Sequence, residues 1–125
     1  MENNNVVTWF EIPVLDMDRA KTFYAAVMQT TFNDDEINGM KMAIFKHKEP
    51  AVSGMLLLGE NYIPSKTGAV VYLNGGEDLD QPLGRVKKNG GEILVPKTMI
   101  NEGECGHFAL FLDSEGNRVG LYSSP

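Results

Sequence analysis

The sequence predicts an α+β fold of two tandem βαβββ modules related by a pseudo-twofold, forming a curved mixed sheet cup with helices outside. Three observations support this fold. Each half of the chain shows a strand, a helix and about three further strands, in that order. A shift of 66 residues places 43–45 on 109–111 and Gly54 on Gly120. The 125 residues, 42% of them apolar, suit one domain with its own core. The alternative is a ferredoxin-like sandwich with two unrelated halves.

These patterns give the domain boundaries. We expect a single domain over residues 1–125, with a first module at 6–58 and a second at 68–123. The segment 59–67 (GENYIPSKT) contains Gly, Asn and Pro without periodicity, which is typical of a linker.

The elements of the first module follow from apolar spacing. Apolar residues at 20, 23, 24, 27 and 28 predict an amphipathic helix over 19–28, capped by Asp16 or Asp18. β-branched and aromatic residues predict a strand at 6–14. Further strands are predicted at 32–35, 40–45 and 52–58.

The second module repeats the pattern. A helix is predicted after Asp78-Leu79-Asp80, with Gly90-Gly91 ending it. Strands are predicted at 68–73, 92–95, 108–112 and 119–122. Gly120 lies in the middle of the last strand, where glycine usually indicates that another group approaches the backbone closely.

Composition excludes several classes of partner. The net charge of −6 argues against binding to nucleic acid or to an anionic membrane surface. The single cysteine, Cys105, rules out an intrachain disulfide and favours a cytoplasmic protein. The polar start MENNN predicts no secretory signal, and no apolar run has membrane-spanning length.

Three segments resemble the glyoxalase/bleomycin resistance/dioxygenase (vicinal oxygen chelate) superfamily. They are FEIPVLDMDRAKTFYAAVM, NGGEILVPK and GHFALFLDSEGNRVGLYS. The resemblance implies paired modules around a cup, in which enzymes of the family hold a divalent metal that chelates two substrate oxygens. It also implies a homodimer, and a bleomycin-resistance branch that binds small molecules without metal.

The family's four metal positions fall here on Trp9, Gly54, Ala69 and Gly120. None of these side chains can bind a metal, since indole N–H only donates and glycine and alanine carry no donor atom. The sequence therefore predicts no metal and no cofactor at this site.

Alternation along the strands then predicts what lines the cup. The predicted ligand-binding residues are Trp9, Glu11, Gly54, Leu56, Ala69, Val71, Gly120 and Tyr122. Apolar walls with few polar groups are typical of a pocket for a small organic molecule. Trp9 either fills core space or extends across the cup towards Gly120, which would shrink the pocket.

Two other functions remain open at this point. A family enzyme of lyase, isomerase or dioxygenase type would need a displaced metal site, or acid–base chemistry by Glu11, His107 or Tyr122. A closed pocket would instead leave an interaction partner for other proteins.

Overall fold

The computed structural model describes residues 5–125. Its elements in chain order are β1 (Trp9–Pro13), α1 (Met17–Met28), β2 (Phe32–Ile37), β3 (Met40–Phe45), β4 (Ser53–Leu58), β5 (Tyr72–Asn74), α2 (Asp80–Lys88), β6 (Glu92–Met99), β7 (His107–Leu112) and β8 (Arg118–Ser123). A short 3₁₀ helix, Asn101–Gly103, precedes β7. The predicted order of elements is confirmed. The predicted strand at 68–73 is wrong in its start, because β5 begins only at Tyr72.

Helix α1 forms where the sequence predicts it. Asp16 is the N-cap, and its side chain accepts a hydrogen bond from the backbone N–H of Arg19 at 3.1 Å. The apolar stripe is buried as Ala20, Phe23, Tyr24 and Val27. The other face of the helix carries charged and polar residues, most of them in contact with solvent.

The strands form two four-stranded sheets with the same internal order. The first sheet has the order β1-β4-β3-β2 and the second the order β5-β8-β7-β6. In each sheet the first and last strands of the module pair in parallel and the other pairs are antiparallel. The α+β class with two βαβββ modules is therefore confirmed, as two mixed sheets that do not close into one.

One hydrophobic core serves both modules. It contains Phe23 and Tyr24 of α1, Leu83 and Val86 of α2, and residues from one face of each sheet. The sheet residues in this core are Ile12, Ala43, Phe45, Leu56, Leu73, Ala109, Phe111, Val119 and Leu121. The opposite face of each sheet, which we call its open face, is available for a site.

The turn between β7 and β8, residues 113–117, joins the two modules. Its side chains Asp113, Glu115 and Asn117 are buried although they are polar or charged. Asn117 Nδ2 donates to Pro13 O at 2.8 Å, and Asp113 accepts from the hydroxyl of Tyr24. Buried polar groups of this kind are tolerated when they are hydrogen-bonded, and here each of the three has at least one partner in the first module.

Glu115 is the centre of this junction. Its Oε1 accepts from the backbone N–H groups of Leu15 and Asp16, both at 2.8 Å, and its Oε2 accepts from Arg19 Nε at 2.7 Å. Burial by itself raises the pKa of this carboxyl, but the hydrogen bonds from Arg19 and the two backbone groups outweigh it and lower the pKa to about 2. The second module thus inserts a carboxylate into the loop that begins α1.

Candidate functional site

The open face of the second sheet carries the glycine that the sequence singled out. Gly120 pairs with Tyr72 across the parallel β5–β8 ladder, so both residues point to the same face. A β-carbon at Gly120 would overlap the ring of Tyr72. The glycine therefore makes room for this tyrosine ring, which lies across the bare backbone and is half exposed.

Tyr72 is one wall of an aromatic cleft on this face. The aromatic cleft is lined by Tyr72, Ile100, Phe108 and Tyr122 and has a volume of about 530 Å³. Tyr122 donates a hydrogen bond to the carbonyl of Cys105 at 2.8 Å, which fixes its ring at the edge of the cleft. Exposed aromatic side chains with a polar tip offer a ligand apolar contact area and a hydrogen-bonding group together.

A second cleft lies at the junction of the modules. We call it the junction cleft; its volume is about 250 Å³. It is lined by Glu11, Ile12, Pro13, Ile63, Ser65, Gly68, Ala69, Val71, Asn117, Arg118 and Val119. Glu11, Ala69 and Val71 were predicted to share a site with Tyr122, but the structure divides them between two clefts because Ala69 and Val71 lie before β5 and outside its ladder.

Gly54 and Leu56 were also predicted to line the cup, and this is wrong. Gly54 pairs with Phe10 and Leu56 pairs with Ile12, on the face that packs in the core, and Leu56 is fully buried there. The physical reason is one extra residue in the turn of the first module. Ala43 and its cross-strand partner Leu56 are 13 apart in sequence, whereas Ala109 and Leu121 are 12 apart.

This extra residue changes which position corresponds to Gly120. Counted from the matched core partners, the counterpart of Gly120 is Met55, since each lies one residue before the partner of the buried alanine. A one-residue shift in a strand moves a side chain to the opposite face. Gly54 and Gly120 therefore lie on different kinds of face.

Trp9 does not reach Gly120. Its ring packs edge-on against His47 with centroids 6.3 Å apart, and the side chain is 39% exposed. The indole therefore neither fills the core nor occupies the space above Gly120.

The family's metal positions offer no ligand set in this fold. Trp9, Ala69 and Gly120 have no metal-binding atom, and the corrected fourth position, Met55, offers only a thioether. Among residues 5–125 no group of three or more His, Cys, Asp or Glu is placed to hold a metal ion. The donor set therefore does not fit the hard or borderline divalent metals that the family's enzymes use.

The three candidate catalytic residues are not assembled. Glu11 lines the junction cleft, which includes neither His107 nor Tyr122. Tyr122 points to the open face of the second sheet. His107 pairs with Ser123, one residue further along the ladder, and so lies on the opposite face from Tyr122.

A larger open hollow, about 740 Å³, lies beside the start of α1 and contains none of the predicted site residues. Its walls are charged, and Lys21 Nζ pairs with Asp34 Oδ2 at 2.7 Å across it. Five carboxylates and two lysines line it, so this hollow is a solvated, net acidic surface and not an apolar pocket.

Sequence reasoning missed Tyr72 and Arg118. Tyr72 could have been found from GAVVYL, since alternation places Val70 and Tyr72 opposite the more apolar Leu73. Arg118 precedes the core residue Val119 and so faces the same way as Gly120.

None of the described helices is long and apolar enough to cross a membrane.

Comparisons with known proteins agree with this fold. A domain of the glyoxylase/bleomycin resistance protein/dioxygenase type from Frankia sp. EAN1pec superposes with a TM-score of 0.75 at 14% identity, covering 98% of this chain and 100% of that one. TnmS3, an antibiotic binding protein from Streptomyces sp. CB03234, superposes with a TM-score of 0.66 at 22% identity, covering 100% of this chain and 99% of that one. No curated protein sequence matches the chain.

The sequence itself matches a family profile across nearly its whole length. The profile is that of the Glyoxalase/Bleomycin resistance protein/Dioxygenase superfamily, and the match covers residues 6–121. Both βαβββ modules fall within it. The chain belongs to the glyoxalase/bleomycin resistance protein/dioxygenase superfamily.

Proposed function

We propose that this protein binds a small organic molecule without metal, and that the aromatic cleft is where it binds. The observation that carries the proposal is Tyr72 lying across Gly120, with Phe108 and Tyr122 beside it. At a position where the family's enzymes carry a metal ligand, this chain has a bare backbone covered by an aromatic ring. A planar or apolar ligand can stack there.

Two further facts support binding in preference to metal catalysis. The metal positions hold no suitable donor atoms, and the candidate acid–base residues Glu11 and Tyr122 lie in different clefts. TnmS3, which has the same fold, is an antibiotic binding protein. By analogy we infer an aromatic, antibiotic-like organic compound as the ligand class.

The proposal includes a homodimer in the cytoplasm. Tyr72 is 50% exposed and Tyr122 is 38% exposed on the open face of a single chain. A second copy covering this face would enclose a ligand on both sides, since ligand sites usually bury most of the ligand's surface. Sedimentation velocity at several concentrations tests this, and a monomer at all of them would overturn the dimer.

Metal analysis tests the metal-free part directly. The protein is purified without a histidine tag and its metal content is measured by elemental analysis. We expect less than stoichiometric Zn, Ni, Fe or Mn. One equivalent of any of these metals per chain would overturn a metal-free site.

Binding is tested with the fluorescent dye anilinonaphthalene sulfonate as an aromatic probe. We expect saturable binding to the wild-type protein, and about tenfold weaker binding in Tyr72→Ser and in Tyr122→Ser, because aromatic residues dominate contacts of this kind. Ile37→Ser is the matched control, since Ile37 is an exposed apolar residue of β2 outside the cleft. Equal loss in all three variants would show non-specific binding and contradict the proposal.

A further inference from the structure

Arg118 differs from those lysines and arginines of the described chain whose partners are carboxylates. Arg19, Lys21 and Lys97 each pair with a carboxylate, and Arg85 donates to a backbone carbonyl. Arg118 forms no ion pair among residues 5–125, although it lines a cleft in a protein of net charge −6. A partly buried guanidinium in an acidic protein normally has an anionic partner.

The linker between the modules covers the guanidinium. The backbone N–H of Arg118 donates to Ser65 O at 3.2 Å, and Nη2 donates to Gly68 O at a long 3.4 Å. Ser65 and Gly68 are themselves exposed, so this cover is thin.

The Nε–H of Arg118 is the decisive atom. It is fully buried, and among the described residues it is the one buried side-chain nitrogen or oxygen without a hydrogen-bond partner. A buried donor without an acceptor destabilises the folded state, and almost all such groups in proteins are satisfied. An acceptor that enters the junction cleft would satisfy it.

The remaining wall of the cleft restricts what this acceptor can be. Pro13, Ile63, Ala69 and Val71 contribute apolar surface, and the carboxylate of Glu11 is the other charge. The volume of about 250 Å³ lies below the range of pockets for drug-sized molecules, so the cleft suits a small ligand. A guanidinium binds a carboxylate through two parallel hydrogen bonds from its planar fork.

We propose that the junction cleft is a binding site for a small aliphatic monocarboxylate, whose oxygens accept hydrogen bonds from Nε and Nη2 of Arg118. The short alkyl chain packs on the apolar wall. Glu11 repels a second negative charge, so a dicarboxylate binds less well. Since Nε is closed off from solvent in the free protein, entry of the carboxylate requires the thin cover at Ser65 and Gly68 to move aside, and it breaks the long contact between Nη2 and Gly68. This site is separate from the aromatic cleft and does not depend on the proposed function.

The test uses butyrate as the probe and butyramide as its neutral counterpart. The signal followed is the Arg118 Nε–H resonance in a ¹H–¹⁵N spectrum, assigned by its absence in Arg118→Lys. We expect a saturable shift with butyrate at about millimolar affinity, as suits so small a ligand. Butyramide and succinate should bind at least tenfold more weakly than butyrate, as judged from the shift of the same resonance.

Three variants separate the proposal from its alternatives. Arg118→Gln should weaken butyrate binding at least tenfold, measured by the remaining shifts of backbone resonances around the cleft, whereas Lys87→Gln, which removes a surface cation of α2, should not. Glu11→Gln should tighten butyrate binding and, in the free protein, move the Arg118 resonance much less than butyrate does.

The proposal is overturned by any of three results. Butyramide binding as well as butyrate would show that charge does not matter. Wild-type affinity in Arg118→Gln would place the carboxylate elsewhere. A change of the Arg118 resonance in ligand-free Glu11→Gln as large as that caused by butyrate would show that Glu11 itself is the acceptor. If Arg118→Gln fails to fold, the butyrate and butyramide titrations of the wild-type protein still decide.

Discussion

The last turn of the first module and the last turn of the second occupy equivalent places but differ in their surroundings. The first, residues 46–52, is exposed, and the side chain of Glu49 is 85% exposed beside His47. The second, residues 113–117, is buried against the first module, and the side chain of Glu115 is fully buried. A repeat gives both modules one topology, but only one of the two turns can contact the other module's first loop. The equivalent carboxylates Glu49 and Glu115 should therefore contribute differently to the stability of the fold.

Removing each carboxylate in turn tests the difference between Glu115 and Glu49 most directly. Glu115→Ala leaves two backbone N–H groups and the Arg19 guanidinium without their acceptor, and we expect it to lower the free energy of unfolding by about 4 kcal/mol. Glu49→Ala removes an exposed partner and should change it by less than about 0.5 kcal/mol. Urea unfolding followed by circular dichroism measures both. Equal effects of the two substitutions would show that the junction does not hold the modules together.

Acid titration should show the same difference without a change of sequence. The pKa of Glu115 is lowered from 4.5 to about 2 in the folded protein, so its contribution to stability is present above about 4.5 and is lost as the pH falls towards 2. The shift corresponds to about 3 kcal/mol. Urea midpoints measured from about pH 5 down to about pH 2.5, which covers most of the interval between the two pKa values, should fall steeply in the wild-type protein and less in Glu115→Ala. The same slope in both proteins would contradict this assignment.

Sequence alone predicted the modules and the core well because apolar periodicity and the repeat act locally. The helix over 19–28 and the matched Ala43 and Ala109 all follow from spacing. The site was harder to predict, since one extra residue in the first turn moved Gly54 to the core face. Contacts between the modules, such as that of Glu115 with the loop before α1, join residues about 100 apart and leave no periodic signal.

The two glycines test the corrected assignment of faces. At Gly54 a methyl group would overlap the Phe10 ring and the Phe10 carbonyl oxygen in the core, so Gly54→Ala should destabilise by about 2–3 kcal/mol. At Gly120 a methyl group would meet only the ring of Tyr72, which is half exposed and can swing into solvent. Gly120→Ala should therefore cost less than about 1 kcal/mol. It should nevertheless weaken binding of the aromatic probe, because the ring leaves its place. Larger destabilisation by Gly120→Ala than by Gly54→Ala would contradict the assignment of Gly54 to the core face and of Gly120 to the open face.

The hydroxyl of Tyr24 belongs to the first module but bonds to the buried turn of the second, and its removal should cost less than the loss of Glu115. This hydroxyl donates to Asp113 Oδ2, and burial together with the Asp113 charge raises the pKa of Tyr24 well above 10. Asp113 keeps its other donors, Asn117 and the backbone N–H of Glu115, when the hydroxyl is removed. Tyr24→Phe should therefore destabilise by about 1.5 kcal/mol, which is less than the loss of Glu115. If both act through the same junction, the double variant Tyr24→Phe with Glu115→Ala should lose less stability than the sum of the two, and simple additivity in urea unfolding would show that the two contacts are independent.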